Sequence, residues 1–442
     1  MRVAIAIWPA PAHVYPLTPL AWALRAAGHE VSFISHPSIG PEVAAQGLPF
    51  TPACTADAMP GQLGPGGAYP AEREDTGRIS AALHIPEQDL GIWNTVFQFF
   101  LPAMWDFIPY RGSPDAPMPA MDGMVEFFEQ WRPDLVVWDP CLPGASVAAR
   151  VCGARHVRYT GPDLIGWCHE TFDRLTSGPS APDVDNPLVE SVRPMARKYG
   201  VPVDRETLFG QCTVNPAPPA LSVPVDTRTV PVRWIPHTSQ GAGTDWLYPV
   251  PDRPRVAISL GVSVRSFLAA DWHYVPVLLD ALSGMDVEVI ATLDHTQLNR
   301  VSTIPDNVRV VDYFPLDQLL PTCSALIHHG GLATTIAAGN ARVPQLIVDF
   351  LDRDIVADTS VQGVGVPRYV MAPTATAYVQ SHGAGDVLDL SKPSAEVVRE
   401  QVTRVLTDPS FRSGATRLYE DLLASPSPTD IVPVLEKLAH AA

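Results

Sequence analysis

Apolar runs alternate with stretches of helical periodicity at the start of the chain. VAIAI (3–7) and VSFIS (31–35) predict strands, because each is short and continuously apolar. TPLAWALRAAG (18–28) between them predicts a helix, with Thr18 as its cap and Pro19 at the permissive first position. Strands of this kind that alternate with helices are typical of a parallel sheet covered on both faces.

The alternation recurs further along the chain. LVVWD (135–139), GASVAARVCG (144–153) and HVRYT (156–160) predict a strand, a helix and a strand. HTSQGAGTDWLYPVPDRP (237–254) has no periodicity and predicts an interdomain linker. A second α/β series follows, with strands predicted at 255–261, 287–293, 308–313, 325–330 and 344–350. We therefore predict two α/β domains with parallel sheets that face each other across a ligand cleft.

Residues 54–125 break this pattern. The segment is rich in Gly and Pro at first and in large aromatic residues afterwards. A long insertion of this kind is either a functional loop region or poorly ordered. Its aromatic content favours a functional loop region.

Charge and composition narrow the classes of ligand. The 442 residues carry a formal charge of −17, and the only lysines are Lys198, Lys392 and Lys437, which opposes binding to nucleic acid or to an anionic membrane. No apolar run approaches the ~18 to 20 residues of a membrane-spanning helix, so we expect a cytoplasmic protein. The six cysteines are far apart and predict neither disulfides nor a zinc site. An anionic ligand would therefore have to be bound by backbone dipoles, histidine and local arginines.

The strongest local signal is ALIHHGGLATTIAAGNARVPQLIVD (325–349), in which a strand ends in His-His-Gly-Gly and a helix begins at once. Two glycines allow the backbone to approach a ligand, and the first N–H groups of the helix attract anions. His329, Thr334 and Thr335 add side-chain donors, so the segment predicts a diphosphate site without lysine. The alternative is a tight turn whose glycines serve packing only. No G-x-G-x-x-G follows the first strand of either domain, which disfavours dinucleotide oxidoreduction.

The second signal is His13 in the loop after the first strand, at the edge where ligands bind in open α/β sheets. An imidazole there can remove a proton from a hydroxyl group. Asp139 closes a strand at the same edge, and a carboxylate that accepts from the imidazole would fix its tautomer. The alternatives are a surface or capping histidine and an aspartate that caps the helix near Gly144.

Four segments together resemble a known family. They are HVYPLTPLAWALRAAGHEV, RPDLVVWDPCLPGASVAARVCGARHVR, NVRVVDYFPLDQLLPTCSALIHHGG and the ending PSPTDIV. The chain resembles bacterial macrolide and polyketide glycosyltransferases of the two-Rossmann-domain (GT-B) type, which use TDP-deoxysugars. The resemblance implies an acceptor-binding N-terminal domain (1–236), a nucleotide-sugar-binding C-terminal domain (255–442) and a last helix that crosses back to the N-terminal domain. It also implies an inverting, metal-independent displacement, with His13 as general base and Asp139 as the acid that orients it.

The resemblance assigns the donor diphosphate to the His-His-Gly-Gly turn. His329, Gly330, Gly331 and Thr334 match the family motif, and Ala333 stands where glycine is commoner.

The rest of the donor is assigned to loops after other strands. Ser263 matches a position that touches phosphate, Tyr313 the ring that stacks on the base, and Phe314 the backbone that bonds the edge of the base. Asp352 matches the residue that contacts donor-sugar hydroxyls, and Arg353 stands where many relatives have Gln or Thr.

A polyketide aglycone needs apolar walls, and the aromatic insertion is the candidate for them. The candidate acceptor residues are Trp93, Phe97, Phe100 and Trp105. The Asp-x-Asp tripeptide at 183–185 lies in Pro-rich loop sequence and the one at 352–354 is assigned to the donor sugar, so we predict no metal ion. We also predict no resident cofactor, because the TDP-sugar is a substrate.

Two further classes of function stay open at this point. A nucleotide-sugar epimerase can use the same two-domain fold, and a non-catalytic helper protein can retain it. Some members of the macrolide subgroup need an auxiliary activator protein on the N-terminal domain. The sequence decides neither that requirement nor the formation of a homodimer.

Overall fold

The structure is a computed structural model that divides into two compact units. Unit 1 contains Met1–Ile235 and Pro426–Ala442, and unit 2 contains Pro236–Ser425. The structure describes residues 1–58, 70–238, 245–248, 252–262, 272–350 and 370–440.

Within the described residues, unit 1 is built on a seven-stranded sheet whose paired neighbours are parallel, in the order β3-β2-β1-β4-β5-β6-β7. The strands are β1 (Arg2–Ala6), β2 (Glu30–Ser35), β3 (Phe50–Pro52), β4 (Leu135–Trp138), β5 (Arg155–Tyr159), β6 (Thr213–Asn215) and β7 (Thr229–Pro231). The chain order reverses between β1 and β4, which lie side by side with Ala6 opposite Trp138. This is the switch point at which open α/β sheets bind ligands.

The helices of unit 1 cover the sheet and fill the region of the insertion. They are Pro11–Val14, Thr18–Ala26, Gly40–Ala45, Pro70–Leu83, Leu90–Thr95, the π-helix Val96–Phe100, Leu101–Trp105, Pro119–Trp131, Gly144–Cys152, Leu164–Leu175, Pro187–Glu190, Arg193–Lys198, Arg205–Phe209 and Pro428–Ala439. The last of these begins with a capping box of Ser427 and Asp430. It buries Ile431, Val432 and Leu435 in the same apolar core as β1.

The helix that we predicted at 18–28 begins in a different way. Thr18 is not its cap: the cap position is Leu17, and the Thr18 hydroxyl donates to the Val14 carbonyl at 3.0 Å. The reason is that the preceding loop is itself helical over Pro11–Val14 and runs almost directly into the longer helix.

The expectation of a loop region over 54–125 was also wrong for the described residues. From Pro70 onward the segment is mostly helical. Trp93, Phe97 and Leu101 are four residues apart and all buried, which is the spacing of one helix face. The buried aromatic side chains therefore pack the helices of this segment inside unit 1.

Unit 2 has a six-stranded sheet in the described residues, again with parallel neighbours, in the order β10-β9-β8-β11-β12-β13. Its strands are β8 (Arg255–Ser259), β9 (Glu288–Thr292), β10 (Val308–Val311), β11 (Ala325–His328), β12 (Gln345–Asp349) and β13 (Gly385–Asp389). The α-helices of its described residues are Val275–Leu282, Leu316–Leu319, Leu332–Asn340, Ala372–Ser381, Ala395–Thr407 and Pro409–Ala424, and Leu320–Thr322 is a 3₁₀ helix. The predicted fold class, α/β with two parallel sheets, is confirmed.

Part of the predicted linker is tied to unit 2. The buried guanidinium of Arg255 donates to the carbonyls of Trp246 and Leu247, each at 3.1 Å, and its Nε donates to Glu288 at 2.6 Å. Leu247 is buried in the unit 2 core.

None of the helices in the described ranges has the length and apolarity needed to cross a membrane.

One glycine lets a helix of unit 1 pack directly on backbone, and we expect Gly123→Ala to lower the free energy of unfolding. A Cβ at Gly123, in the helix Pro119–Trp131, would lie 2.0 Å from the carbonyl oxygen of Ala53. The backbones must then move apart, at a cost of roughly 1–3 kcal/mol. Urea unfolding followed by circular dichroism measures the change.

The matched control is Gly77→Ala in the helix Pro70–Leu83, where a Cβ meets nothing within 4 Å. It should raise the free energy of unfolding by roughly 0.5–1 kcal/mol, because alanine is the better helix former. Equal stabilities of the two variants would contradict the proposed close packing at Gly123.

Candidate active site

His13 and Asp139 meet at the carboxyl edge of the unit 1 sheet. His13 lies on the short helix Pro11–Val14 that follows β1, and Asp139 directly follows β4. The backbone N–H of Asp139 donates to the carbonyl of Ala6 at 3.0 Å, which continues the β1–β4 pairing by one residue. The strand pairing therefore fixes where the carboxylate stands.

The buried carboxylate of Asp139 accepts three hydrogen bonds. Nδ1 of His13 and the backbone N–H of Trp8 (3.0 Å) donate to Oδ2, and the backbone N–H of Cys141 donates to Oδ1 at 2.8 Å. Burial acts to raise the pKa of this carboxyl group, but the charge and hydrogen bond of His13 and the two backbone donors outweigh it. The pKa of Asp139 is lowered, so the carboxylate stays ionised at neutral pH.

The imidazole of His13 is held in one orientation by Asp139. Burial acts to lower its pKa, but the charge of Asp139 and the hydrogen bond to it raise the pKa above 6.5. With Nδ1–H donated to Asp139, Nε2 is the nitrogen that could take a proton from a ligand. The side chain keeps 24% of its exposure, and the ring of Trp8 lies 5.5 Å from the imidazole between centroids.

The same cluster includes a sulfur atom. Potential metal-ligand atoms of His13, Asp139 and Cys141 lie within 4.8 Å of one another. Burial, together with the charge of Asp139, raises the pKa of the Cys141 thiol well above its usual range. The free thiol is therefore protonated at neutral pH, and the absence of a metal ion stays a prediction.

The His-His-Gly-Gly segment forms a sharp turn from β11 into the helix Leu332–Asn340. Gly330 has φ +81°, and a Cβ there would lie 2.7 Å from Cα of Ala372. Gly331 occupies the cap position and has no side chain to bond the first N–H groups of the helix. Because those N–H groups have no partner within a helix, the turn has the electrostatics of an anion site.

The ring of His329 is packed between two glycines. A Cβ at Gly331 would lie 2.4 Å from its Nε2, and a Cβ at Gly261 would lie 2.6 Å from its Cε1. Burial lowers the pKa of His329 to about 4, so the ring is neutral at pH 7 and offers hydrogen bonds but no charge. The sequence analysis missed Gly261, although its place after the first strand of unit 2 matches the place of the His13 loop after β1.

The hydroxyl groups of the helix start have different roles. Thr335 is fully buried and donates to the carbonyl of Gly331 at 2.9 Å, so the expectation that it adds a donor for a ligand was wrong. Its place in the first turn directs that hydroxyl back along the helix. Thr334 keeps 8% of its exposure, and Ala333 is exposed.

His328, at the end of β11, stabilises the turn by hydrogen bonds. Its Nδ1 accepts from the backbone N–H of Gly330 at 3.2 Å, and its Nε2 donates to the side-chain oxygen of Gln345 at 3.0 Å. Burial lowers the pKa of His328 to about 3, which keeps it in the neutral form that both bonds require. His328 and Gln345 were missed because buried polar pairs between strands leave no pattern in one sequence.

The other donor-site candidates differ in how far their side chains are exposed to solvent. Tyr313 is exposed (39%), whereas Phe314 is buried, with its ring 4.9 Å from that of Trp246. Ser263, Asp352 and Arg353 lie outside the described residues.

The aromatic acceptor candidates lie mostly inside unit 1. Trp93 and Phe97 are buried and stack at 4.2 Å between ring centroids, and buried Trp105 lies 4.9 Å from Tyr110. Phe100 is half-buried. Contact of these four residues with an acceptor stays a prediction.

The fold and the two candidate sites define a class: an α/β protein with two parallel-sheet units, a histidine–carboxylate pair on one and a helix start suited to an anion on the other. Two family models match the chain. They describe the N-terminal domain (residues 22–261) and the C-terminal domain (residues 276–377 and 356–438) of "Erythromycin biosynthesis protein CIII-like" proteins. The chain belongs to this family and is a glycosyltransferase of antibiotic biosynthesis.

Individual relatives match over their whole length. The chain is 36% identical to aclacinomycin-T 2-deoxy-L-fucose transferase of Streptomyces galilaeus, over 99% of this chain and 96% of the relative. It is 35% identical to 3-alpha-mycarosylerythronolide B desosaminyl transferase of Saccharopolyspora erythraea, over 99% and 98%. Among solved structures, the glycosyltransferase VinC in complex with DTDP matches with a TM-score of 0.75 and 28% identity, over 99% of both chains.

We expect the pKa of His13 to fall below 6.5 in Asp139→Asn. Without the carboxylate charge, burial remains as the main influence and disfavours the imidazolium. In the native protein the raised pKa also means that the pair stabilises the fold below about pH 6.5, and that this contribution is lost as the pH rises through the native pKa. NMR titration of isotope-labelled histidine, assigned with His13→Gln, measures the pKa.

His169 serves as the internal control, because burial lowers its pKa to about 3 and its signal should not move between about pH 5 and pH 9. An unchanged pKa of His13 in Asp139→Asn would refute the role assigned to the carboxylate.

Proposed function

We propose that this enzyme transfers a deoxysugar from a TDP-sugar to a hydroxyl group of a polyketide aglycone, with inversion at the anomeric carbon. The observation that carries the proposal is the His13–Asp139 pair at the switch point of the unit 1 sheet. The named relatives that transfer 2-deoxy-L-fucose and desosamine support the class of sugar. The VinC complex with DTDP supports the nucleotide.

In the proposed reaction, Nε2 of His13 takes the proton of the acceptor hydroxyl as its oxygen attacks the anomeric carbon. The bond between that carbon and the diphosphate oxygen breaks, and its electron pair leaves with TDP. Asp139 holds the imidazole in the reactive tautomer and stabilises the imidazolium. This single displacement needs neither a metal ion nor a resident cofactor.

The diphosphate of the donor is proposed to bind at the start of the helix Leu332–Asn340. Negative charge grows on the leaving group, and the helix N–H groups with the positive end of the helix dipole stabilise it. His329, which is neutral, and Thr334 add hydrogen bonds. Exposed Tyr313 is proposed to stack on the thymine base.

The acceptor is proposed to contact the aromatic helices of unit 1. Phe100 is the candidate for direct contact, because its side chain is half-buried. Trp93, Phe97 and Trp105 are packed inside the unit and would support the wall from behind. An apolar wall suits a polyketide ring system better than it suits a free sugar.

We expect His13→Ala to lower kcat by roughly 10²- to 10⁴-fold, because a general base is lost. The assay separates products by mass spectrometry after incubation with a panel of TDP-deoxysugars and polyketide aglycones, with and without candidate auxiliary proteins. His440→Ala, at an exposed position after the last helix, is the matched control and should keep the native rate.

Near-native turnover of His13→Ala would refute the assignment of the base. Conversion of the TDP-sugar in the absence of any aglycone would indicate epimerisation instead of transfer. Binding of TDP without transfer to any aglycone would indicate a helper protein.

We expect Gly331→Ala to weaken dTDP binding by about tenfold or more, which corresponds to about 1.4 kcal/mol. The added methyl group would overlap Nε2 of His329 and displace the ring from the turn. Isothermal titration calorimetry with dTDP measures the affinity. The control is Ala333→Gly at an exposed position of the same turn, which should bind dTDP within about threefold of the native enzyme. Native affinity of Gly331→Ala would contradict the proposed diphosphate site.

A further inference from the structure

Trp8 touches both members of the catalytic pair. Its backbone N–H donates to Oδ2 of Asp139 at 3.0 Å, the oxygen that also binds His13. Its ring lies 5.5 Å from the His13 imidazole between centroids, at an angle of 58°. The position and orientation of Trp8 therefore bear on both ends of the hydrogen bond between His13 and Asp139.

The indole of Trp8 is anchored in turn by a buried acid. Its Nε1–H donates to Oδ2 of Asp106 at 3.0 Å, and Asp106 is completely buried. Asp106 directly follows the helix Leu101–Trp105, so it belongs to the aromatic insertion and not to the sheet. A hydrogen bond between two buried groups is costly to break, so this bond constrains the rotamer of Trp8.

We propose that Trp8 and Asp106 are positioning residues that couple the aromatic insertion to the catalytic pair. This inference rests on the proposed role of His13 as the base. Asp106 fixes the indole of Trp8, and the indole fixes the backbone after β1. That backbone holds the Asp139 carboxylate and the His13 ring at hydrogen-bonding distance from each other. A misplacement of about 1 Å in such a site can lower the rate by as much as 10².

The titratable groups that surround the His13 ring are few in the described part of the chain. Asp139 faces it directly, the Cys141 thiol lies beside Asp139, and the charge of Asp106 acts on that thiol. Because Trp8→Phe removes no charge, its effect should appear as a weaker bond between His13 and Asp139.

The test is Trp8→Phe, which keeps an aromatic ring but removes the N–H donor. We expect kcat to fall about tenfold and the KM for the TDP-sugar to stay within about twofold. In the dependence of kcat/KM on pH, the pKa of the acidic limb should move down toward 6.5. Asp106→Ala should behave in the same way. Asp106→Asn keeps an oxygen that accepts the indole N–H and should recover most of the lost activity.

The matched control is Ser80→Ala. The hydroxyl oxygen of Ser80 accepts from Nε1–H of Trp93 at 2.8 Å, a bond of the same kind within the insertion that does not touch the pair. It should lower stability without moving the rate profile. A native kcat and rate profile in folded Trp8→Phe, with His13→Ala inactive, would overturn the positioning role alone. An active His13→Ala would overturn the proposed base and the positioning role with it.

Discussion

The candidate active site of unit 1 depends on one buried charge, the carboxylate of Asp139. A buried carboxylate persists only when donors surround it, and here three N–H groups from the ends of β1 and β4 and from His13 do so. The same bonds fix the tautomer of His13 and raise its pKa. The parallel pairing of β1 with β4 brings these donors together, so the topology of the sheet and the basicity of the histidine have a common origin.

The proposed donor site of unit 2 is under a different electrostatic constraint. A chain of net charge −17 with three lysines repels a diphosphate at long range. The proposed diphosphate site after β11 offers the backbone N–H groups of a helix start, a neutral His329 and glycines that allow close approach. Binding at this site would come from oriented dipoles more than from formal cations.

Sequence reasoning found the two sheets, the contact between His13 and Asp139 and the His-His-Gly-Gly turn, because each depends on local signals: apolar runs, strand ends and paired glycines. It failed where the outcome depends on contacts distant in sequence. The sequence predicts that Thr18 caps a helix, but the preceding loop is helical and the Thr18 hydroxyl bonds within it. It predicts that the Thr335 hydroxyl is a donor for a ligand, but this hydroxyl donates to the Gly331 carbonyl. The four-residue spacing of Trp93 and Phe97 could have revealed helices in the insertion. The bonds of Trp8 to Asp106 and of His328 to Gln345 could not have been read from one sequence.

The central claim is that His13, whose pKa Asp139 raises, is the base in the proposed transfer of the sugar. The most direct measurement compares two quantities in the native enzyme and in Asp139→Asn: the pKa of the acidic limb of kcat/KM, and the pKa of His13 from NMR. The two values should coincide in the native enzyme and move down together in the variant, because one group sets both. A kinetic pKa that stays in place while the pKa of His13 moves would contradict the claim.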